Sequence, residues 1–148
     1  MRLRQAGPED IAAVTACVHA AYERYIERIG RPPGPMMEDY AQPIGEGRVT
    51  IAEEEGNVVG VLVVSATEQT FLLENVAVHP ACQRRGIGRE LIAYAEAQAH
   101  RDGFAFIHLY THEKMTENQA MYAKLGYVEF DRRTEHGFAR VYMRKALR

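Results

Sequence analysis

Leu72-Leu73-Glu74-Asn75-Val76-Ala77-Val78-His79-Pro80-Ala81-Cys82-Gln83-Arg84-Arg85-Gly86-Ile87-Gly88-Arg89-Glu90-Leu91-Ile92 is the stretch whose reading decides the fold. It reads as a strand, a tight basic turn and the opening of a helix. Phe71 to Val78 is rich in apolar and β-branched residues, as a buried strand requires. Pro80 cannot extend a sheet ladder, so the strand ends near His79. After Gly86 the apolar positions fall at 87, 91, 92 and 95, which is helical spacing. Gly86 and Gly88 stand where that helix begins. A missing Cβ there lets a ligand come close to the backbone, and the first N–H groups of a helix have no internal acceptor. The helix dipole adds to them, so the turn is an expected anion site. Arg84, Arg85 and Arg89 surround it with positive charge.

Two familiar anion motifs do not fit. A dinucleotide fingerprint needs a third glycine at position 91, where Leu91 stands, and no Gly-Lys-Ser/Thr follows for a P-loop. What remains is Gln83-Arg84-Arg85-Gly86-Ile87-Gly88, or Q-x-x-G-x-G.

Composition narrows the function classes. The 148 residues suit one domain, 1–148, with a substantial core. The formal net charge of −2 argues against a general nucleic-acid binder, so the arginines at 84–89 are a local feature. No apolar run is long enough to span a bilayer, and Met1-Arg2-Leu3-Arg4-Gln5 lacks the apolar stretch of a signal peptide, so no membrane partner and a cytoplasmic location are expected. Cys17 and Cys82 make no disulfide framework, and the histidines lack metal-ligand spacing, so no metal is expected.

Around the central stretch the chain reads in order. Residues 2–6 form a short strand. Gly7-Pro8-Glu9-Asp10 opens a helix whose apolar stripe at 11, 14, 18, 22, 25 and 29 predicts one continuous element up to Gly30. Arg31-Pro32-Pro33-Gly34-Pro35-Met36-Met37 is expected to hold no regular element, and a short helix follows from Glu38 to near Gly45. Strands at 48–54 and 58–66 flank the turn Glu55-Gly56-Asn57, with Gly60 marking a bulge. The helix at 86–101 stops at Gly103. Phe104 to Tyr110 is a strand, parallel to and beside 70–79 by the right-handed crossover rule. Residues 111–115 read as a loop, 116–125 as a helix closed by Gly126, and 127–133 with 138–144 as a terminal hairpin. The fold class is α+β: a mixed, mostly antiparallel sheet with helices on both faces.

Q-x-x-G-x-G, entered through Val76-Ala77-Val78-His79-Pro80, resembles the pyrophosphate-binding motif of the GNAT superfamily of N-acetyltransferases, which use acetyl-CoA. Tyr122-Ala123-Lys124-Leu125-Gly126-Tyr127 is similar to a second hallmark of that family, the Y-x-K-L-G-F/Y ending of its fourth helix. The resemblance implies a splayed parallel strand pair. It implies that the diphosphate of CoA rests on backbone N–H groups of Arg84, Arg85, Gly86, Ile87, Gly88 and Arg89, with Gln83 alongside. Pantetheine would pair with the strand Val76-Ala77-Val78, a ligand adding to a sheet. Asn118 is implied as a further coenzyme contact, in place of an asparagine that many members carry where Met115 stands here. Tyr122 takes the place of the general acid. The segment joining the first helices commonly walls the acceptor site, which makes Tyr25, Arg28, Met36, Asp39 and Tyr40 candidate acceptor contacts. Tyr110 stands where ribosomal-protein N-terminal acetyltransferases often carry a glutamate, so their mechanism does not transfer directly.

The residues themselves point to Glu74 as the base. It shares a strand face with Leu72, Val76 and Val78, and a carboxylate there needs a reason because burying it unpaired is costly. His108 and Tyr110 are alternatives. The expected activity is acetyl transfer from acetyl-CoA to a primary amine of a small molecule or amino-acid derivative by direct attack. The alternatives are a protein or peptide N-terminal or lysine acetyltransferase, and a non-catalytic acyl-CoA-binding sensor. A homodimer is a possible assembly.

Overall fold

The structure is a computed structural model, and it describes residues 1–147. Its seven strands are hydrogen-bonded in the order β1-β2-β3-β4-β5-β7-β6. The chain divides into two compact units, the first of Met1–Val64 with Asn75–Ala95, the second of Ser65–Glu74 with Glu96 onward.

The first unit opens with β1 (Arg2–Gln5), antiparallel to β2 (Val49–Glu54), which pairs with β3 (Asn57–Ala66). Glu55 and Gly56 turn between β2 and β3 with φ of 50° and 81°, the left-handed backbone that a two-residue hairpin demands. The expected bulge lies beside Gly60, where the register slips at Ala52/Glu53. Val59 to Val64 are all buried, so β3 is covered on both faces. A Cβ on Gly60 would lie 2.9 Å from both Ile87 Cγ2 and Leu91 Cδ1. The glycine therefore lets the helix α5 (Ile87–Arg101) lie directly on the sheet.

The first helical stretch differs from the single helix expected. Pro8–Asp10 is a 3-10 turn, α1 spans Ile11–Tyr22 and α2 spans Tyr25–Ile29. Between α1 and α2 the bonding tightens: Glu23 N–H reaches His19 O, but Ile26 N–H reaches Glu23 O, three residues back. Apolar periodicity misses this because residues 22, 25 and 29 stay on one side either way. Gly30 ends α2 at φ 94° as expected. Arg31 to Met37 also departs from expectation, since Gly34–Met37 makes one helical turn, α3. Pro35 sits near its start, where the missing N–H would have had no partner. α4 follows at Ala41–Gly45, its first N–H taken by Asp39 Oδ1 at 3.0 Å.

The Asn75–Val78 half of β4 (Phe71–Val78) belongs to the first unit and its Phe71–Glu74 half to the second. In the second unit, β4 runs parallel to β5 through Phe71–Ile107, Leu72–His108 and Leu73–Leu109. This bears out the crossover expectation. β5 spans Phe106–His112, two residues later than the periodicity suggested. Phe104 is held outside the strand by its N–H bond to Ala99 O and an edge contact with Phe71. β5 pairs antiparallel with β7 (Phe138–Ala146), which pairs with β6 (Val128–Glu135). α6 (Thr116–Lys124) is followed by Gly126 at φ 100°. Among the described residues, no helix is long and apolar enough to cross a membrane.

Gly60→Ala should destabilise the chain by ~1–3 kcal/mol, because buried Ile87 and Leu91 must move to admit one methyl. Chemical denaturation monitored by circular dichroism checks this. An unchanged midpoint would mean that α5 is not seated on Gly60.

Candidate functional site

β4 alternates buried and half-buried positions from Phe71 to Val78. Leu72, Glu74, Val76 and Val78 share the half-buried side, as the period of two predicted. At the end of β4, His79 N–H bonds Val59 O at 2.9 Å and fixes the exit of the chain. His79 Nδ1 accepts the Ala81 N–H and His79 O accepts the Cys82 N–H, folding Pro80–Cys82 into a 3-10 turn. Gln83 then extends and donates its Nε2 to Val78 O at 3.3 Å.

The next two reversals are at Arg84 with φ 66° and Gly86 with φ 83°. Arg84 bears the left-handed strain that usually falls to glycine. The space beside Gly86 is open, with nothing within 4 Å of where a Cβ would stand, so its requirement is conformational. α5 begins at Ile87, and Glu90 N–H already bonds Gly86 O. The amides of Ile87, Gly88 and Arg89 thus belong to the first turn, where no intrahelical acceptor exists. Ile87 is buried and anchors the turn, while Arg84, Arg85 and Arg89 are exposed. Arg85 is tied by a 2.6 Å ion pair to Glu54, which holds its guanidinium further above the usual range. Among the described residues, Arg84 and Arg89 have no carboxylate partner. The turn is an anion cradle of open backbone, a helix N-terminus and two uncommitted cations, and it fits a diphosphate.

The same unit holds the expected acceptor contacts. Tyr25 is buried, its hydroxyl accepting from Arg24 Nη2, with the Arg24 and Arg28 guanidinium groups 4.8 and 5.1 Å from its ring centre. Tyr40 is also buried, and its hydroxyl donates to Pro35 O at 2.6 Å. Met36 is half-buried and Asp39 exposed. Sequence reasoning misses two members of this group, Tyr22 and Asn75. Asn75, only 6% exposed, accepts from Tyr22 OH at 2.6 Å and donates to Tyr40 OH at 3.0 Å. The cost of burying a polar group, applied to Glu74, would have found Asn75 one residue on.

The second unit holds the other candidates. Leu72 and His108 pair in register, so Glu74 and Tyr110, each two residues further along, lie on that same side. The Tyr110 ring lies beside Tyr142 and under the Arg140 guanidinium, 4.2 Å from its centre. His108 packs edge-on against Phe130, and its Nδ1 is buried without a partner. Burial, then the nearby Arg144, lowers its pKa, so the imidazole is neutral at pH 7. Tyr122 is buried on α6 with its ring 5.7 Å from that of Tyr127. Tyr127 OH donates to Glu96 Oε2, and Lys145 Nζ holds the other Glu96 oxygen at 2.9 Å. Asn118 Nδ2 lies 3.7 Å from Met115 Sδ. Cys82 is half-buried beside the cradle, whereas burial pushes the Cys17 thiol up to about 11 and leaves it inert at neutral pH. Among the described residues, no group of three or more His, Cys, Asp or Glu could hold a metal ion.

The model of the acetyltransferase (GNAT) domain matches residues 45–129. No curated protein matches the chain in sequence. Among solved structures, the PaiA N-acetyltransferase from Thermoplasma acidophilum, in complex with coenzyme A, superposes with a TM-score of 0.84 at 16% identity, covering 98% of each chain. The ribosomal-protein-S18-alanine N-acetyltransferase of Escherichia coli gives 0.79 at 19% identity, covering 99% of this chain and 93% of that one. Nourseothricin acetyltransferase gives 0.76 at 18% identity, covering 99% and 98%. The seven-stranded mixed sheet with its parallel pair is the fold they share. The chain belongs to the GNAT family of acetyltransferases, enzymes that take their acyl group from acetyl-CoA as co-substrate.

Proposed function

We propose that this chain transfers the acetyl group of acetyl-CoA to a primary amine of a small molecule or amino-acid derivative. The observation that carries the reading is the cradle at Gln83–Arg89, with its left-handed Arg84 and Gly86 and the start of α5. Its N–H groups and the Arg84 and Arg89 side chains take the diphosphate, and the Val76–Val78 backbone takes the pantetheine. Asn118 is a further coenzyme contact. Met36, Asp39, Tyr40, Tyr25 and Arg28 shape the acceptor wall, with Tyr110 as an additional contact.

Transfer is direct. The neutral amine attacks the thioester carbon, the C–N bond forms, and the carbonyl oxygen takes the negative charge. The Val78 N–H is assigned to that oxyanion. The carbonyl re-forms, the C–S bond breaks, and the thiolate receives the proton of Tyr122, which regains one by way of solvent from the nitrogen of the adduct as it becomes the amide. Glu74 takes the proton that makes the amine nucleophilic, with His108 as the alternative because it is neutral at pH 7. A small cationic acceptor is the preferred reading, because the carboxylates of Asp39 and Glu74 would suit its charge. Acetyl-CoA is a metabolite of the cytoplasm, which is the proposed location. A homodimer through the exposed Val128, Phe130 and Phe106 is the proposed assembly.

Gly86→Ala should raise the KM for acetyl-CoA about tenfold, since a Cβ at a left-handed position costs ~1–2 kcal/mol. An unchanged KM would remove the diphosphate from this turn. A panel of amines with acetyl-CoA and free-thiol detection tests the reaction. Tyr122→Phe should lower kcat about 100-fold with the KM for acetyl-CoA nearly unchanged. Glu74→Gln and His108→Gln separate the two bases, because only the true base takes with it the acid limb of the kcat/KM profile. CoA binding without thiol release from any amine would favour a non-catalytic sensor, and turnover only with peptides a protein acetyltransferase. Phe130→Glu should convert a dimer to monomer in sedimentation; a monomeric parent protein would end the assembly proposal.

A further inference from the structure

Three polar or charged side chains are buried among the described residues: Asp10, Asn75 and Thr111. Asp10 is taken by the Arg4 fork and the Gly7 N–H, both within six residues. Thr111 finds Met115 Sδ four residues on. Asn75 alone joins distant stretches, reaching 53 residues back to Tyr22 and 35 back to Tyr40.

The directions of its bonds follow from the donors available. A carbonyl only accepts, so Tyr40 must give its one proton to Pro35 O. The Tyr40 oxygen can then only accept from Asn75, which turns Nδ2 toward Tyr40 and Oδ1 toward Tyr22. Tyr22 has one proton and two acceptors, Asn75 Oδ1 at 2.6 Å and Val76 O at 3.1 Å. The chain of bonds therefore runs from the backbone of Val76, through Tyr22, Asn75 and Tyr40, to the backbone of α3.

We infer that Asn75 is a positioning residue that couples residues 34–45, the acceptor wall, to the Val76 strand on which the coenzyme is bound. The inference rests on the proposed function, which assigns both ends. A coenzyme N–H that donates to Val76 O makes that oxygen a weaker acceptor for the Tyr22 hydroxyl, and the Tyr22 proton shifts toward Asn75 Oδ1. That bond strengthens, and the bonds beyond it stiffen with it. The wall is then ordered after acetyl-CoA binds and before the amine does. Linkage makes the effect reciprocal, so an amine seated on the wall tightens the coenzyme by the same factor.

Amide hydrogen exchange read by mass spectrometry, with and without CoA, tests this on the intact chain. In the parent protein CoA should slow exchange over residues 34–45 about tenfold, the size expected of one strengthened buried bond. In Asn75→Leu, and in Tyr40→Phe, which removes one hydroxyl only, that slowing should fall below about twofold. Calorimetry should still show CoA binding in both variants, because neither touches the 83–89 turn. A purely structural Asn75 would raise exchange equally with and without CoA, which overturns the inference. So would CoA protection retained in Tyr40→Phe, the variant that decides the matter if Asn75→Leu does not fold. Failure of the parent protein to bind CoA would instead bring down the functional reading.

Discussion

α5 can start where it does because Gly60 has no side chain. Ile87 and Leu91 each come within 2.9 Å of where its Cβ would be. The same stretch of β3 supplies Val59 O, which takes the His79 N–H at the end of β4. One short segment of a central strand thus fixes both ends of the turn between β4 and α5. The turn must cover the gap in few residues, and it does so with left-handed backbone at Arg84 and Gly86. The first amides of the helix are left without an intrahelical acceptor. The anion cradle follows from how a helix is seated on a sheet.

The three arginines around that turn fall into two groups. Arg85 is committed to Glu54 and helps pin the turn to the end of β2. Such an exposed pair is worth little in stability, but it sets direction. Arg84 and Arg89 have no such commitment among the described residues, and they supply the field a diphosphate would meet. A basic turn in a chain of net charge −2 is therefore local in purpose, as its composition suggested.

The second unit holds its candidate side chains through tilted and edge-on ring contacts. Tyr122 leans on Tyr127, whose hydroxyl is held by Glu96, which Lys145 holds in turn. Along β5, Tyr110 lies against Tyr142 and under Arg140, and His108 lies against Phe106 and Phe130 with the charge of Arg144 near it. The Arg140 guanidinium over Tyr110, and that of Arg144 over Phe106 and Phe130, add cation–π attraction on a half-exposed sheet face. His108 is kept neutral by the same surroundings.

Much of this was legible in the residues alone. The helix stops at Gly30, Gly103 and Gly126, the hairpin at Glu55-Gly56, the bulge at Gly60 and the parallel pairing of β4 with β5 all follow from local chemistry or chain topology. Those features depend on a residue's own backbone freedom, or on a handedness shared by all proteins. The break at Glu23-Arg24, the one-turn helix across Pro35 and the two-residue shift of β5 were not legible, because periodicity gives the side a residue faces and not which carbonyl its N–H meets. Asn75 shows the limit most plainly. Its type announces a buried polar group in want of partners, but Tyr22 and Tyr40 lie 53 and 35 residues away, and only the folded chain brings their hydroxyls within bonding distance.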